Sequence, residues 1–219
     1  MPTDQRAEID WRGGRVPVST RFDDPYFSFE DGVAETTHVF LAGNDLPARF
    51  HDGFHIAELG FGTGLNFLVA LSAFRAAGIA GCLHFTSFEA WPMAPADLRR
   101  ALAAHPDLPG WLLHDGVPDA LEGPDFSLRV IPGDARQSLP AWPGRADAWF
   151  LDGFSPAKNP ELWGDPLMVQ VARHTAPGGT VATYTAAGQV RRALQAAGFE
   201  ATRTSGYGRK RHMTRARLR

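Results

Sequence analysis

The chain has 219 residues, of which 44% are hydrophobic and 21% charged, a balance typical of a globular protein with one substantial core. No apolar run approaches the roughly 20 residues that a membrane span needs, and residues 1–6 lack the apolar stretch of a signal peptide. Cys82 is the single cysteine, so no disulfide can form within the chain, and a cytoplasmic location without membrane attachment is expected.

The formal net charge of −2 hides an uneven distribution. Residues 1–60 contain five Lys or Arg against eleven Asp or Glu, whereas residues 191–219 contain nine against one. The basic end predicts an anionic partner near the C-terminus. Because nearly all of this positive charge is arginine, a coding bias alone would produce a similar pattern.

Residues 1–53 do not resemble a nucleotide-binding unit and are expected to form a β-rich N-terminal extension of a domain at 54–219. Short strands are predicted at 16–20 and 36–41, with the segment 22–28 between them. The extension either lies across the ligand site or is a β-hairpin with no role there, and both arrangements agree with the sequence.

From residue 55 short apolar strands alternate with helices, which predicts an α/β domain with a mostly parallel sheet. Seven strands are predicted at about 55–59, 83–89, 126–131, 146–151, 179–184, 199–205 and 211–218, the last of them antiparallel. Helices are predicted at about 64–77, 95–104, 166–175 and 187–197, with an irregular, partly helical insertion at 105–125. The closing hairpin is similar to that of Rossmann-like methyltransferases that use S-adenosylmethionine (SAM), and it is not expected in an NAD-binding domain.

The first strand of this series runs into Glu58 and then three alternating glycines, Gly60, Gly62 and Gly64. Without a Cβ the backbone can turn sharply and approach a ligand, and the following helix presents unpaired N–H groups. A dinucleotide-binding loop reads G-x-G-x-x-G, but Leu65 occupies the place of its third glycine. The spacing resembles the E/D-x-G-x-G-x-G loop of SAM-dependent methyltransferases, with Glu58 near the cationic end of the cofactor. An ordinary turn without a ligand is the alternative.

Three more acidic residues, Glu89, Asp134 and Asp152, follow the carboxyl ends of strands, where open α/β sheets bind ligands. Glu89 is expected to accept the ribose hydroxyls of the cofactor, and the segment 134–135 to bind its adenine. Asp152 and neighbouring backbone carbonyls are expected to accept the N–H groups of an amine substrate, whose proton is lost to water or to Asp152. A solvated loop or a helix cap is the alternative for each of them.

Two long motifs, at 58–67 and 147–160, and shorter matches at 17–19, 22–28, 39–44 and 206–211 carry a family resemblance. The sequence resembles the methyltransferase domain of the bifunctional tRNA 5-methylaminomethyl-2-thiouridine biosynthesis proteins. The resemblance implies SAM-dependent N-methylation of the 5-aminomethyl group of (2-thio)uridine at the tRNA wobble position, giving 5-methylaminomethyl-(2-thio)uridine. In that family an oxidase domain that uses FAD follows, and neither FAD nor its activity is expected in this chain.

The motifs and the resemblance together suggest a set of site residues. Asp152 and Phe154 are expected in catalysis. Cofactor binding is assigned to Glu58, Gly60, Phe61, Gly62, Gly64, Asn66, Glu89, Asp134, Ala135 and Asp152. Binding of a tRNA anticodon stem-loop is assigned to Tyr26, Phe27, Lys158, Tyr207, Arg209 and Lys210.

The final hairpin is expected to place the turn 206–210 beside the active site. Tyr207 would then stack on an unpaired anticodon base, while Arg215, Arg217 and Arg219 are expected lower on the last strand, as solvated residues that block a sheet edge. A separate upstream modification enzyme is expected as a further partner.

Other chemistry has little support. His51 and His55 do not form a helical metal pair and no Cys/His spacing suits zinc, so no metal is expected. The G-x-S-x-G motif of serine hydrolases does not occur. The alternatives that remain are an NAD-dependent oxidoreductase and an RNA-binding module that keeps this fold without catalysis.

Overall fold

The structure is a computed structural model that describes residues 5–219. Residues 1–4 lie outside the described residues. They belong to the expected N-terminal extension and to the segment 1–6 that lacks a signal-peptide stretch. Within the described range, none of the helices combines the length and the apolar character of a bilayer-spanning segment.

The N-terminal part forms a small antiparallel sheet followed by helical turns. Its strands, in spatial order, are β1 (Ile9–Arg12), β2 (Val16–Ser19) and β3 (Asp24–Pro25). Helix α1 (Gly32–Thr36) continues into a π-helical turn (Thr37–Leu41) and a 3₁₀ turn (Ala42–Asn44). Strand β2 confirms the strand predicted at 16–20.

The strand predicted at 36–41 is wrong, because this segment is helical. Asp31 caps α1, and its Oδ1 accepts the N–H of Ala34 at 2.9 Å. Residues 39–41 are buried under the main sheet. A short apolar run occurs in buried strands and buried helices alike, and here the cap at Asp31 starts a helix that tertiary packing continues.

Eight strands of the described chain form the main sheet, in the order β10-β11-β9-β8-β4-β5-β7-β6. They are β4 (His55–Leu59), β5 (Leu83–Glu89), β6 (Ala120–Glu122), β7 (Phe126–Pro132), β8 (Ala146–Leu151), β9 (Thr175–Thr183), β10 (Phe199–Ser205) and β11 (His212–Leu218). Strands β7, β5, β4, β8 and β9 run parallel, while β11 is antiparallel to both β9 and β10. The mostly parallel sheet with an antiparallel last strand is confirmed.

The sheet has one strand more than the seven expected. β6 pairs antiparallel with β7, with Leu121 opposite Leu128, inside the insertion expected to be irregular. The helical part of that insertion is a 3₁₀ turn at Gly110–Leu113. Edge strands are often very short, and three residues do not show the alternation by which strands are recognised in a sequence.

Strand β11 lies inside the sheet, between β9 and β10. The expected edge-blocking role of its arginines is therefore wrong. Nη2 of Arg215 lies 2.8 Å from Oδ1 of Asp45, and Nη2 of Arg217 lies 3.4 Å from Oδ2 of the same residue. These arginines form a surface ion-pair cluster with Asp45.

Helices cover both faces of the main sheet. They are α2 (Leu65–Ala76), α3 (Pro95–Leu102), α4 (Ala135–Ser138), α5 (Asp165–Arg173) and α6 (Gly188–Ala196), with 3₁₀ turns at Leu139–Ala141 and Pro160–Trp163. Successive side chains of β8 point to opposite faces, so Phe150 packs in one core with Phe67, and Trp149 packs in the other with Leu194. Parallel strands are normally buried on both faces in this way.

Part of the expected N-terminal extension belongs to the first of these cores. Val39, Phe40 and Phe50 are buried there, and the ring centroid of Phe40 lies 5.2 Å from that of Phe150. The division into 1–53 and 54–219 stays a prediction. Packing nevertheless fixes α1 and the turns after it relative to the carboxyl ends of the strands.

Candidate active site

A cavity of about 1040 Å³ opens at the carboxyl ends of the parallel strands. The segment 21–36 and the turn 206–210 contribute its other walls. Most of the expected site residues line it, namely Tyr26, Phe27, Gly60, Phe61, Gly62, Asn66, Glu89, Asp134, Ala135, Asp152, Phe154, Tyr207, Arg209 and Lys210. Glu58, Gly64 and Lys158 do not.

The glycine loop brings bare backbone to the cavity. Gly60 has a φ of +91°, and a Cβ there would lie 2.5 Å from the carbonyl oxygen of Asp152. Gly62 has a φ of +53°, and its Cβ would lie 3.0 Å from the ring of Tyr26. A left-handed backbone without room for a side chain suits glycine alone. A ligand can therefore approach the peptide groups of this loop closely.

Gly64 is not among the residues that line the cavity, and its expected part in cofactor binding stays a prediction. It precedes α2 with a φ of +72°, and a Cβ there would collide with the side chain of Leu113. Gly64 therefore lets the 3₁₀ turn at Gly110–Leu113 pack against the glycine loop.

Glu89 connects the end of β5 to the glycine loop. Its carboxylate accepts the backbone N–H of Gly62 at 2.8 Å and that of Trp91 at 2.6 Å. The residue is 8% exposed, and burial raises its pKa while these N–H groups oppose the rise. Glu89 also lines the cavity, so its carboxylate is within reach of a ligand bound there.

Asp134 caps α4 and pairs with Arg136. Its Oδ1 accepts the N–H of Arg136 at 2.9 Å, and both carboxylate oxygens accept from the guanidinium. The guanidinium holds the pKa of Asp134 below its usual value. Asp134 and Ala135 line the cavity, with the carboxylate oriented by Arg136.

Asp152 directly follows β8 and is linked to α2 by one side chain. Nδ2 of Asn66 donates to Oδ2 of Asp152 at 2.6 Å and to Oε1 of Glu58 at 2.8 Å. Burial is the main cause that raises the pKa of Asp152 to about 7, whereas the hydrogen bond from Asn66 lowers it. A carboxyl group with such a pKa can gain or lose a proton near neutral pH.

Glu58 is buried and is not among the residues that line the cavity, so its expected place near a cationic ligand stays a prediction. It is 0% exposed, and its Oε2 accepts the hydroxyl of Ser87 at 2.7 Å. Burial raises its pKa well above the ordinary value. Glu58 thus supports the amide of Asn66.

Aromatic side chains form the wall beside Asp152. The ring of Phe154 stacks on that of Phe22 with centroids 4.7 Å apart, and its edge contact with Tyr26 is at 5.2 Å. The hydroxyl of Tyr184 donates to the carbonyl of Gly153 at 2.7 Å. A flat ligand could therefore contact rings next to the carboxyl group.

Lys158 contacts the N-terminal segment, and its expected contact with the substrate stays a prediction. Its Nζ donates to the carbonyl oxygen of Asp23 and lies 3.6 Å from the carboxylate of Asp24. The same Asp24 carboxylate accepts the N–H of Ser155 at 2.8 Å. These contacts fasten the loop after β8 to the N-terminal segment.

The turn 206–210 borders the cavity, as expected. Arg209 is 97% exposed, with its Nε 3.5 Å from Glu30. Nζ of Lys210 lies 2.8 Å from Oε1 of Glu35 and 4.1 Å from the ring centroid of Tyr184. Both cations are thus placed at the rim, where they could meet an anionic ligand.

Several lining residues were not predicted. Phe22, Thr36, Trp91 and Tyr184 face the cavity or its network. Phe22 falls in the motif at 22–28, and the family resemblance of that motif is a signal for it. The other three lie in segments whose sequence predicts only a strand end or a loop, so their roles depend on tertiary contacts.

A family model described as "S-adenosyl-L-methionine-dependent methyltransferase" matches residues 111–219. The chain is 47% identical over 225 residues to the tRNA 5-methylaminomethyl-2-thiouridine biosynthesis bifunctional protein MnmC of Pseudomonas aeruginosa. This alignment covers 95% of this chain and 34% of that protein. The protein of the same name from Chromobacterium violaceum is 45% identical over 233 residues, 97% of this chain and 34% of that protein. The chain spans about a third of the length of these relatives.

The crystal structure of MNMC2 from Aquifex aeolicus aligns with a TM-score of 0.78 at 28% identity, over 100% of this chain and 72% of that one. The likeness includes both the main sheet and the N-terminal segment. The cofactor expected from the glycine loop is the one in the description of the matching family. The chain belongs to the S-adenosyl-L-methionine-dependent methyltransferase family.

Proposed function

We propose that this chain methylates the amine of the 5-aminomethyl group on (2-thio)uridine at the wobble position of tRNA, with SAM as the methyl donor. The observation that carries the proposal is the position of Asp152. It lies in the cavity beside the glycine loop, and its pKa is raised to about 7. A proton acceptor next to the cofactor loop suits the methylation of an amine.

The described residues fit SAM in the cavity. The absence of side chains at Gly60 and Gly62 leaves room for close contact with the backbone. Glu89 offers acceptors for ribose hydroxyls, while Phe61 and Ala135 line the cavity as apolar contacts for a purine. The Asp134 carboxylate is paired with Arg136, so the adenine amino group would bind in competition with that guanidinium.

When bound, SAM supplies a methyl group on a cationic sulfur, from which a neutral amine nitrogen can take it and leave a neutral thioether. An alkyl amine is mostly protonated near pH 7. Asp152 as a carboxylate can accept this proton and release it to water, after which the carboxylate accepts an N–H group of the neutral amine and its lone pair points toward the glycine loop. A pKa near 7 makes this transfer less unfavourable than the ordinary 3.8 would.

The substrate proposal draws on the names of the relatives and on the surroundings of Asp152. A uracil ring can lie against Phe154 and the neighbouring Tyr26 and Phe27, with its aminomethyl group toward Asp152. Tyr207 and the basic residues of the turn would then contact the anticodon stem-loop. A FAD-free, metal-free reaction, a separate upstream modification enzyme and a cytoplasmic location stay predictions.

Two assays test the proposal. Calorimetric titration is expected to show binding of SAM and none of NAD. Labelled methyl groups from SAM are expected on tRNA that carries 5-aminomethyluridine and not on matched tRNA with unmodified uridine. Equal labelling of both RNAs would exclude the amine as the acceptor, and binding of SAM and tRNA without labelling would favour the non-catalytic RNA-binding alternative.

A further inference from the structure

The side chain of Thr36 connects the N-terminal segment to the network around Asp152. Its hydroxyl Oγ1 donates to Oδ1 of Asn66 at 2.8 Å, and the two residues are 3% and 6% exposed. Thr36 is the last residue of α1, which packs so tightly on α2 that a Cβ at Gly32 would lie 2.8 Å from the side chain of Leu65. The position of the hydroxyl is therefore fixed by the fold.

The amide of Asn66 has a defined partner for each of its polar atoms. Oδ1 accepts from Thr36, and the two hydrogens of Nδ2 go to Glu58 and Asp152. Without the hydroxyl, Oδ1 would be buried without a donor, which costs free energy. Turning the amide over would bring Oδ1 against the two carboxyl groups and remove both donated hydrogen bonds.

We propose that Thr36 is a positioning residue for Asp152, acting through Asn66. The hydroxyl keeps the amide in the orientation that donates to the Asp152 carboxylate, so that its second oxygen remains free for an amine. This inference rests on the proposed role of Asp152 as the proton acceptor. It gives the N-terminal segment a part in the chemistry beyond that of a wall.

Loss of the donated hydrogen bond would disfavour the carboxylate and raise the pKa of Asp152, because Asn66 opposes the effect of burial. Other titratable groups also act on this carboxyl, and replacing Thr36 does not remove them. They are Glu35, Lys210, Asp24, Tyr184 and Glu58.

The test follows the carboxyl carbon of Asp152 by ¹³C NMR from pH 5 to pH 9, without SAM or RNA. Its signal is assigned by its absence in Asp152→Asn. Wild type is expected to titrate near pH 7, and Thr36→Val at least about 0.5 pH unit higher. Thr36→Ser keeps the hydroxyl and should titrate as wild type. Thr37→Val is the matched control, since the hydroxyl of Thr37 donates to Val33 in its own helix.

In Thr36→Val the acid limb of the pH profile of kcat should shift with the titration of the Asp152 carboxyl. SAM affinity should stay within about two-fold of wild type. Thr36→Ala removes the hydroxyl without adding a branch and replaces Thr36→Val if that variant fails to fold. An unchanged Asp152 titration in a folded variant without the hydroxyl overturns the inference, as does a shift in Thr36→Ser as large as that in Thr36→Val. If Asp152→Asn transfers methyl groups normally, Asp152 is not the proton acceptor of the proposed function. The titration of the Asp152 carboxyl in the Thr36 variants still decides whether Thr36 positions it.

Discussion

Asn66 donates to Asp152 across 2.6 Å, and this contact joins the first turn of α2 to the end of β8. The glycine loop leads directly into α2, so the loop and the acceptor carboxyl form one hydrogen-bonded unit. Through Glu58 and Ser87 the unit extends into β4 and β5. In the proposed reaction this unit would keep the methyl donor and the proton acceptor in a fixed relation, which an in-line transfer requires.

Asp152→Asn should lower kcat by at least about 100-fold, because a positioned proton acceptor contributes on that scale. SAM affinity should remain within a few fold, since the glycine loop and Glu89 are unchanged. Steady-state methyl transfer and calorimetry measure the two quantities. The exposed Asp165→Asn serves as the control. Near-normal turnover of Asp152→Asn would remove this carboxyl from the mechanism.

The raised pKa of Asp152 also predicts how stability depends on pH. Well below pH 3.8 the carboxyl is protonated in both the folded and the unfolded chain. Between the ordinary 3.8 and about 7 the unfolded chain loses this proton first, so the free energy of unfolding falls as pH rises, and above about 7 the loss is constant. The total is at most about 4 kcal/mol, and less if cavity water solvates the group.

Asp152→Asn removes this titration. Its free energy of unfolding, relative to wild type, should therefore increase from pH 4 to pH 7 and then level off. Denaturant unfolding of both proteins at a series of pH values measures the difference. A difference that does not change with pH would show that Asp152 has an ordinary pKa.

Gly62→Ala should weaken SAM binding by at least about 10-fold, because the new methyl group projects toward Tyr26 and forces the loop to shift. Gly178→Ala is a matched control with a φ of +71° and nothing within 4 Å of the new Cβ. The two variants should lose similar thermal stability from the left-handed backbone. If calorimetry finds equal SAM affinity in both, the cofactor does not lie against this loop.

Replacing both Arg209 and Lys210 with Ala should weaken tRNA binding and reduce its log–log salt dependence by about 0.7–0.9 for each lost phosphate contact. SAM binding should not change. The control replaces Arg217 and Arg219, which lie away from the cavity, and should bind as wild type. If the control pair carries the salt dependence, tRNA docks on another face.

Phe29→Ala should weaken tRNA binding by about 5- to 100-fold, the range for loss of one base-stacking contact. Phe29 is 55% exposed and lines the cavity, a costly position for a large apolar side chain without a ligand. Trp111→Ala is the control, because Trp111 is 72% exposed but does not line the cavity. A larger loss at Trp111 than at Phe29 would move the RNA to that side of the protein.

The sequence predicts most of the main sheet because its signals are local. Apolar strands such as His55–Leu59 and Leu83–Glu89 are bounded by glycine or acidic residues, and the parallel arrangement brings their ends together. Strand β6 and the helical segment at 36–41 were missed, since one is too short for a pattern and the other has a pattern shared by both structures.

The sequence predicts which residues belong to the site better than it predicts what those residues contact. Residue type and position could place Glu58 and Lys158 near the ligand, but they could not show that Glu58 turns beneath the loop or that Lys158 binds Asp23. The role of Thr36 depends on a hydrogen bond to Asn66, 30 residues further along the chain. Such contacts are set by tertiary packing.

The most direct test of the proposed activity is mass spectrometry of the wobble nucleoside after reaction with trideuteromethyl SAM. The tRNA substrate carries 5-aminomethyl-2-thiouridine and lacks the final methyl group. The nucleoside should gain one trideuteromethyl group, and fragmentation should place it on the amine nitrogen, with little product from Asp152→Asn. A label on the base ring or the ribose, or an unlabelled nucleoside in the presence of bound SAM, would contradict the account.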